Sequence, residues 1–189
     1  DLQPQTGAAR RFDLSVGDAL QLPFSNDRFD RLICSEVLEH IPDYQGALTE
    51  IWRVVKPGGK IGISVPHRWP EQICWLISEE YHNTPGGHVR IFRAPDLRKD
   101  FEVLGFTYRG KHLKHGLHSP YWWLRCAVGV NNDQNLLVRS YKKLLEVEIL
   151  KNPMPLRILS ALADPLMGKS MVMYFDKPLD KPSEEATPK

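Results

Sequence analysis

The sequence lacks the cysteines that would indicate a disulfide framework or a zinc site. Its 189 residues contain three, Cys34, Cys74 and Cys126, and no two of them form a C-x-x-C pair. An odd number of widely spaced cysteines is typical of reduced thiols. We therefore expect free thiols and a cytoplasmic protein.

Long apolar runs are also missing. The richest short run, residues 121–124 (YWWL), ends at Arg125, and the first residues do not have the charged-then-apolar layout of a signal peptide. We expect no transmembrane segment and, at most, peripheral contact with a membrane surface.

Charge of one sign is not in excess either. The 25 Lys and Arg residues against 23 Asp and Glu residues give a formal charge of +2, which is too small and too dispersed for a nucleic-acid surface. A hydrophobic content of 42% is ordinary for one globular domain. The sequence indicates no oligomeric state.

A glycine-rich G-x-G-x-x-G fingerprint is absent as well. The two Pro-Gly-Gly triplets, at 57–59 and 85–87, follow a predicted helix and lie in a predicted loop. Because the dinucleotide fingerprint requires glycines between a strand and a helix, a dinucleotide-dependent oxidoreductase is the least favoured of the enzyme classes with this pattern of elements.

What the sequence does contain is a strand, a helix and a second strand in succession. The short apolar run 31–35 leads directly into Glu36, Glu39 and His40, and residues 44–55 have the apolar spacing of a helix. After a turn at 56–59, residues 60–66 form a second apolar run. This order predicts a βαβ unit with parallel strands whose carboxyl ends open into a ligand cleft.

The remaining segments predict further helices and strands around this unit. We expect strands at 14–16, 106–113 and 170–175, helices at 70–81 and 94–104, a loop at 83–92, and a helical insertion at 114–168. Residues 177–189 are rich in Pro, Lys and Glu, which predicts a disordered tail.

Four stretches, 17–24 (GDALQLPF), 29–43 (FDRLICSEVLEHIPD), 50–66 and 87–106, together resemble the class I S-adenosylmethionine-dependent methyltransferases, specifically the type-11 group. The resemblance implies an α/β fold with a Rossmann-like sheet and helices on both faces. It also implies S-adenosylmethionine as the cofactor and a small, lipid-like or aromatic hydroxyl acceptor.

The resemblance assigns cofactor-binding roles to five residues. Asp18 and Ala19 would contact the adenine, Cys34 and Ser35 would lie beside the methionine and its sulfonium, and Asp1 would bind the ribose. For Asp18, a turn or N-cap role before ALQL is the alternative.

The family places a glycine loop after its first strand, and this sequence has none. Residues 1–176 therefore resemble a partial domain without the first strands, either truncated or a compact variant that pairs the 14–16 strand directly with the 31–35 strand. The insertion 114–168 would cap the acceptor. A non-catalytic interaction module on a truncated fold is the alternative function.

The predicted catalytic residues are His40, Glu36 and His88. A histidine at a strand end, such as His40, is suited to general-base work, and Glu36 and His40 would share a face if their segment is helical. His88 resembles the family position that faces the acceptor, and a solvent-exposed loop histidine is the alternative. The spacing of Glu36, Glu39 and His40 also resembles a metal-binding segment of ubiquinone O-methyltransferases, although a purely structural role remains open. His115, His118, Tyr121 and Trp122 would line the acceptor pocket or belong to the core.

Overall fold

The computed structural model describes residues 13–179. The elements, in chain order, are β1 (Phe29–Ser35), a 3₁₀ helix (Leu38–His40), α1 (Tyr44–Val54), β2 (Val55–Pro66), α2 (Arg68–Ile77), α3 (Glu79–His82), α4 (Ala94–Val103), β3 (Thr107–Lys114), α5 (His118–Val128), α6 (Leu136–Lys151), α7 (Met154–Met167) and β4 (Ser170–Asp176). The predicted α/β fold is confirmed.

The four strands form one sheet in the order β1-β2-β4-β3. β1 and β2 run parallel, with Cys34 opposite Ile63, while β4 is antiparallel to both of its neighbours. The predicted βαβ unit is therefore confirmed, and the carboxyl ends of β1 and β2 lie at the same edge of the sheet.

Helix α1 connects these two strands and packs on the sheet because of its apolar stripe. The Asp43 side chain caps its first turn by accepting a hydrogen bond from the Gly46 amide at 2.9 Å. Ala47, Leu48 and Ile51 are buried on the side that faces the sheet. Six further large, fully buried side chains of the same core come from the strands and α4: Ile63, Met171, Met173, Phe175, Leu97 and Phe101.

The predicted turn at 56–59 proves to be part of a strand. β2 begins at Val55, and the pairing moves from Phe29–Val55 directly to Arg31–Lys60, which leaves a bulge on β2. Gly58 has φ +76°, a conformation that favours glycine. The Pro-Gly-Gly triplet therefore ends the helix as predicted but then bends a strand.

The predicted strand at 14–16 is wrong. Residues 13–17 belong to no strand, and the side chains of Leu14 and Val16 are 98% and 102% exposed. An apolar run forms a strand only where a neighbouring strand takes its hydrogen bonds, and no described residue pairs with this run. The compact variant, in which this segment pairs with β1, is therefore also wrong.

Helices α5, α6 and α7 occupy the predicted insertion and form a second, smaller core. Its buried members are Leu117, Tyr121, Val138, Leu145 and Ala163. No helix within residues 13–179 is both long and apolar enough to cross a membrane.

The predicted tail does not begin at residue 177. Lys177 is buried, and its ammonium group donates to Asp27 Oδ1 at 2.9 Å and to two backbone carbonyls. The ion pair and the carbonyls compensate the buried charge, which a Pro/Lys/Glu-rich composition does not reveal. Residues 180–189 of the predicted tail lie outside the described part of the chain.

Candidate active site

The polar residues after β1 lie at the edge of the sheet where both parallel strands end. Glu36 has a left-handed backbone, with φ +52°, and its amide donates to the Ser64 carbonyl of β2 at 2.9 Å. The next turn is a short 3₁₀ helix that holds Glu39 and His40. The predicted helical face shared by Glu36 and His40 is wrong, because the helix begins only at Leu38.

This edge opens into a cavity of about 500 Å³ between the sheet, α3, the 83–92 loop and the insertion. Glu36, Lys169, Tyr81, Thr84, Gly87, His88, His115, His118, Trp122, Val130 and Ser170 line it. Glu36, His88, His115, His118 and Trp122, which are sequence-based candidates for the acceptor site, therefore lie in the wall of one cavity. Tyr121 lies instead in the second core.

Beside the cavity, two imidazoles converge on one carboxylate. Glu39 Oε1 lies 3.7 Å from His40 Nε2 and 4.0 Å from His88 Nε2. Glu39 is fully buried, and neither of its carboxylate oxygens has a hydrogen-bond partner among the described residues. Of the predicted metal set, Glu39 and His40 are therefore in place with His88, whereas Glu36 is not part of this cluster.

The two imidazoles are fixed through their other nitrogens. His40 Nδ1 donates to the Gly86 carbonyl at 2.9 Å, and His88 Nδ1 lies 2.6 Å from Glu71 Oε1. Since Nδ1 carries the proton in both contacts, each neutral imidazole has its lone pair on Nε2.

Glu71 is a site residue that the sequence did not indicate. It lies on α2, is fully buried, and pairs with Lys169 as well as with His88, while the Tyr81 hydroxyl donates to it at 3.4 Å. A single glutamate in an amphipathic helix is usually solvated, and its partner Lys169 lies 98 residues further along the chain. Nothing in the local pattern links the two.

The environment gives the carboxyl groups opposite protonation tendencies. Burial raises the pKa of Glu39 above its ordinary value, and the neighbouring Glu36 adds to this. Burial alone would also raise the pKa of Glu71, but the hydrogen bond from His88 and the charge of Lys169 outweigh it and hold that pKa at about 2. The site thus contains one carboxylate that is ionised and one whose ionisation burial opposes.

A second cavity, of about 630 Å³, runs along β1 and α1. Ala19, Cys34 and Ser35 lie in its wall, together with Val37, Leu38 and Ile41. Burial raises the pKa of the Cys34 thiol to about 11, so that the thiol is neutral at physiological pH. Three of the five predicted cofactor-binding residues therefore line one cavity.

Of the other two predicted cofactor-binding residues, Asp18 and Asp1, the structure describes Asp18. Asp18 is exposed, and its carboxylate accepts a hydrogen bond from the Leu20 amide at 2.9 Å, as the alternative turn role predicts. Its second carboxylate oxygen makes no hydrogen bond within the described residues. Asp1 lies outside these residues.

Known proteins resemble both the sequence and the fold. Residues 2–63 match the family model Methyltransf_11, described as a methyltransferase domain. The sterol 24-C-methyltransferase of Aspergillus fumigatus is 33% identical over 85 residues, covering 45% of this chain and 20% of the relative. The ubiquinone biosynthesis O-methyltransferase of Aeromonas salmonicida is 30% identical over 118 residues, covering 59% of this chain and 48% of the relative.

Among solved structures, a putative methyltransferase from Bacillus halodurans superimposes with a TM-score of 0.51 and 22% identity, covering 86% of this chain and 70% of the other. The strand order and the strand-end cavities thus define a Rossmann-like methyltransferase fold. The family model covers about one third of this chain and supports its similarity to a methyltransferase domain. The chain spans one fifth to about one half of these two curated relatives.

Proposed function

We propose that this chain is part of an S-adenosylmethionine-dependent methyltransferase, and that it contributes the acceptor side of the active site. The observation that carries the proposal is the position of His88, in the wall of the 500 Å³ cavity with its Nδ1 held by Glu71. A small, aromatic or lipid-like hydroxyl compound is the acceptor class that this cavity supports.

The cavity along β1 fits one part of the cofactor. Its apolar wall suits a planar ring near Ala19, and the neutral Cys34 and the Ser35 hydroxyl suit the methionine end. When bound, S-adenosylmethionine supplies an electrophilic methyl group on a sulfonium. Because Ser35 ends β1 and Glu36 lines the acceptor cavity, the two cavities adjoin at consecutive residues of the chain.

The residues of the chain account for the proton in this reaction. With the cofactor bound, His88 Nε2 would accept the hydroxyl proton of the acceptor while the acceptor oxygen takes the methyl group from the sulfonium, whose sulfur leaves as a neutral thioether. The resulting imidazolium is stabilised by the ionised Glu71 at Nδ1 and by Glu39 near Nε2. Trp122 and Tyr81 present apolar ring surface to the acceptor and reduce access of water.

A methylation assay tests the proposal. The chain is incubated with methyl-labelled S-adenosylmethionine and an organic-soluble cell extract, and label is expected in a small organic-soluble product. His88→Gln is expected to lower the rate by about 10²-fold or more with cofactor binding, measured by calorimetry, unchanged. His82→Gln, an exposed histidine outside the cavity, is the matched control.

Three results would contradict the proposal. Label that enters only protein would overturn the small-molecule acceptor, and a His88→Gln variant with full activity would remove the general-base role. Failure of the chain to bind S-adenosylmethionine would leave the non-catalytic interaction module as the better account.

The Glu39 carboxylate, which has no hydrogen-bond partner among the described residues, supports a second, metal-assisted form of methyl transfer. A divalent cation held by Glu39, His40 and His88 would satisfy both buried oxygens and would polarise an acceptor hydroxyl in place of a base. Two imidazoles and one carboxylate suit a transition-metal ion better than Mg²⁺. Calorimetric titration with Zn²⁺ and with Mn²⁺ tests this, since binding is expected to disappear in Glu39→Gln; absence of binding in the unchanged chain would exclude the metal.

A further inference from the structure

The solvent-facing side of the α6–α7 helical hairpin is unusually apolar for a globular protein. On α7, Met154, Ile158, Leu162 and Leu166 recur every four residues along one stripe, and each is more than half exposed. Spacing of four residues places side chains on one side of a helix. With Leu136 and Leu150, which share one side of α6 and are 74% and 81% exposed, these residues define what we call the hairpin surface.

Exposed basic side chains lie on the same two helices as these apolar residues. Arg139, Lys142, Lys143 and Lys151 of α6 and Arg157 of α7 are all exposed, and none of them forms a salt bridge within residues 13–179.

The acidic residues of the two helices do not balance this charge. Glu148 is hydrogen-bonded to Ser160 and His118, and Asp164 is buried and forms an ion pair with the exposed Lys114. Glu146 is the one exposed acidic residue of the two helices, so the surface carries a net positive charge.

We propose that the hairpin surface docks on a membrane that contains anionic lipid. Apolar side chains in a helical stripe flanked by Lys and Arg are the features by which helices lie at the interface of a bilayer. A second copy of the chain is the less favourable occupant, because it would bring two positively charged surfaces together.

The hairpin that carries this surface also contacts the candidate acceptor cavity. Glu148 lies on the inner side of α6 and contacts His118 Nε2 at 3.3 Å, and His118 lines the 500 Å³ cavity. Docking of the hairpin would therefore bring the lipid to a helix that contacts a residue of the cavity wall. A lipid-soluble compound could then reach the cavity without crossing bulk water.

Vesicle flotation of the full chain tests the proposal without cofactor or acceptor, so its outcome is independent of the methyl-transfer chemistry. The chain is expected to float with vesicles of phosphatidylcholine and phosphatidylglycerol, and to float less with phosphatidylcholine alone or at high salt. Leu150→Ser with Leu162→Ser is expected to weaken binding by about tenfold or more. Lys142→Gln with Lys143→Gln is expected to weaken it about fivefold per charge removed.

The matched control is Leu76→Ser, an 87% exposed leucine on α2 outside the hairpin, which is expected to float normally. Circular dichroism confirms that each variant is folded. Failure of the unchanged chain to float would overturn the proposal. So would concentration-dependent self-association, measured by sedimentation without vesicles, that the two leucine substitutions abolish, because this would make the surface an interface between copies.

Discussion

At the scale of single residues, Glu71 holds the candidate site together. Its carboxylate contacts His88 Nδ1 at 2.6 Å and pairs with the buried Lys169. A hydrogen bond from Nδ1 to a carboxylate fixes the orientation of an imidazole and leaves Nε2 free to accept a proton. Glu71 thus contributes to stability through its ion pair with Lys169 and to the chemistry of the site through His88, and mutation can separate these two contributions.

Glu71→Gln is expected to lower the free energy of unfolding by on the order of 3 kcal/mol, because it leaves the Lys169 ammonium buried without a counter-charge. Urea denaturation measures this change. The double variant Glu71→Met with Lys169→Met is the control and is expected to recover most of the loss. A loss in the double variant equal to that of Glu71→Gln would show that hydrogen bonds, rather than the ion pair, dominate.

Glu71 also predicts how stability depends on pH. Its folded pKa, about 2, is below its ordinary value, so its contribution is present above the ordinary carboxyl range and is lost as pH falls toward the folded pKa. When the free energy of unfolding is measured as a function of pH in acid, Glu71→Gln is expected not to show this loss of stability.

Glu39→Gln is expected to have the opposite effect at neutral pH. Because burial raises the folded pKa of Glu39, the unchanged chain loses stability as pH rises from the ordinary value through that raised pKa. Glutamine does not ionise, so the variant is expected to have the higher Tm at neutral pH and an equal Tm in acid. The comparison is made with a chelator present; a lower Tm at neutral pH would contradict the expected cost of ionisation.

At the scale of elements, the insertion is attached to the sheet through very close backbone contacts. Gly116, between β3 and α5, donates its amide hydrogen to Asp164 Oδ1 of α7 at 2.9 Å. A Cβ at this position would lie 2.5 Å from the Ala163 carbonyl carbon and 2.6 Å from the Asp164 nitrogen. Only glycine permits this approach.

Gly116→Ala is therefore expected to cost about 2 kcal/mol of stability and to increase hydrogen exchange in α7 more than in α1. Chemical denaturation and exchange mass spectrometry measure the two effects. Gly62→Ala is the control, since its Cβ would meet only the Tyr174 ring, at 3.6 Å. Equal exchange in α1 and α7 would show that the clash unfolds the molecule as a whole.

The elements also show which features the sequence could predict. β1, α1 and β2 follow from apolar runs of the right length and from the Asp43 cap, all of which are local. The segment 14–16 has the same local pattern but no neighbouring strand, and so forms none. The Lys169 partner of Glu71 and the second Glu39 neighbour, His88, depend on tertiary packing, which periodicity in one segment does not encode.

At the scale of the whole molecule, the sheet has an open edge at β1 that carries an exposed apolar side chain. β1 is at the end of the strand order, and Ile33 on it is 83% exposed. No strand within residues 13–179 pairs with the outer edge of β1. An open edge with an apolar side chain favours pairing with another chain.

Ile33→Lys is expected to reduce concentration-dependent association of the isolated chain, because a lysine on an edge strand opposes edge-to-edge pairing. Sedimentation velocity over a range of protein concentrations measures the change. Val103→Lys, at an exposed valine on α4, is the control and is expected to leave association unaltered. Equal effects of the two variants would show that net charge alone governs association.

The place of β4 between β2 and β3 also has a consequence for how the molecule is made. Among the strands of residues 13–179, β3 (Thr107–Lys114) pairs with β4 (Ser170–Asp176) alone, and β4 follows it by more than fifty residues. While the chain is being synthesised, β1 and β2 can pair early, whereas β3 has no partner until β4 has emerged from the ribosome. The cavity between these strands and the insertion therefore forms last, and a pause in translation before Ser170 would prolong exposure of the apolar residues that β4 covers.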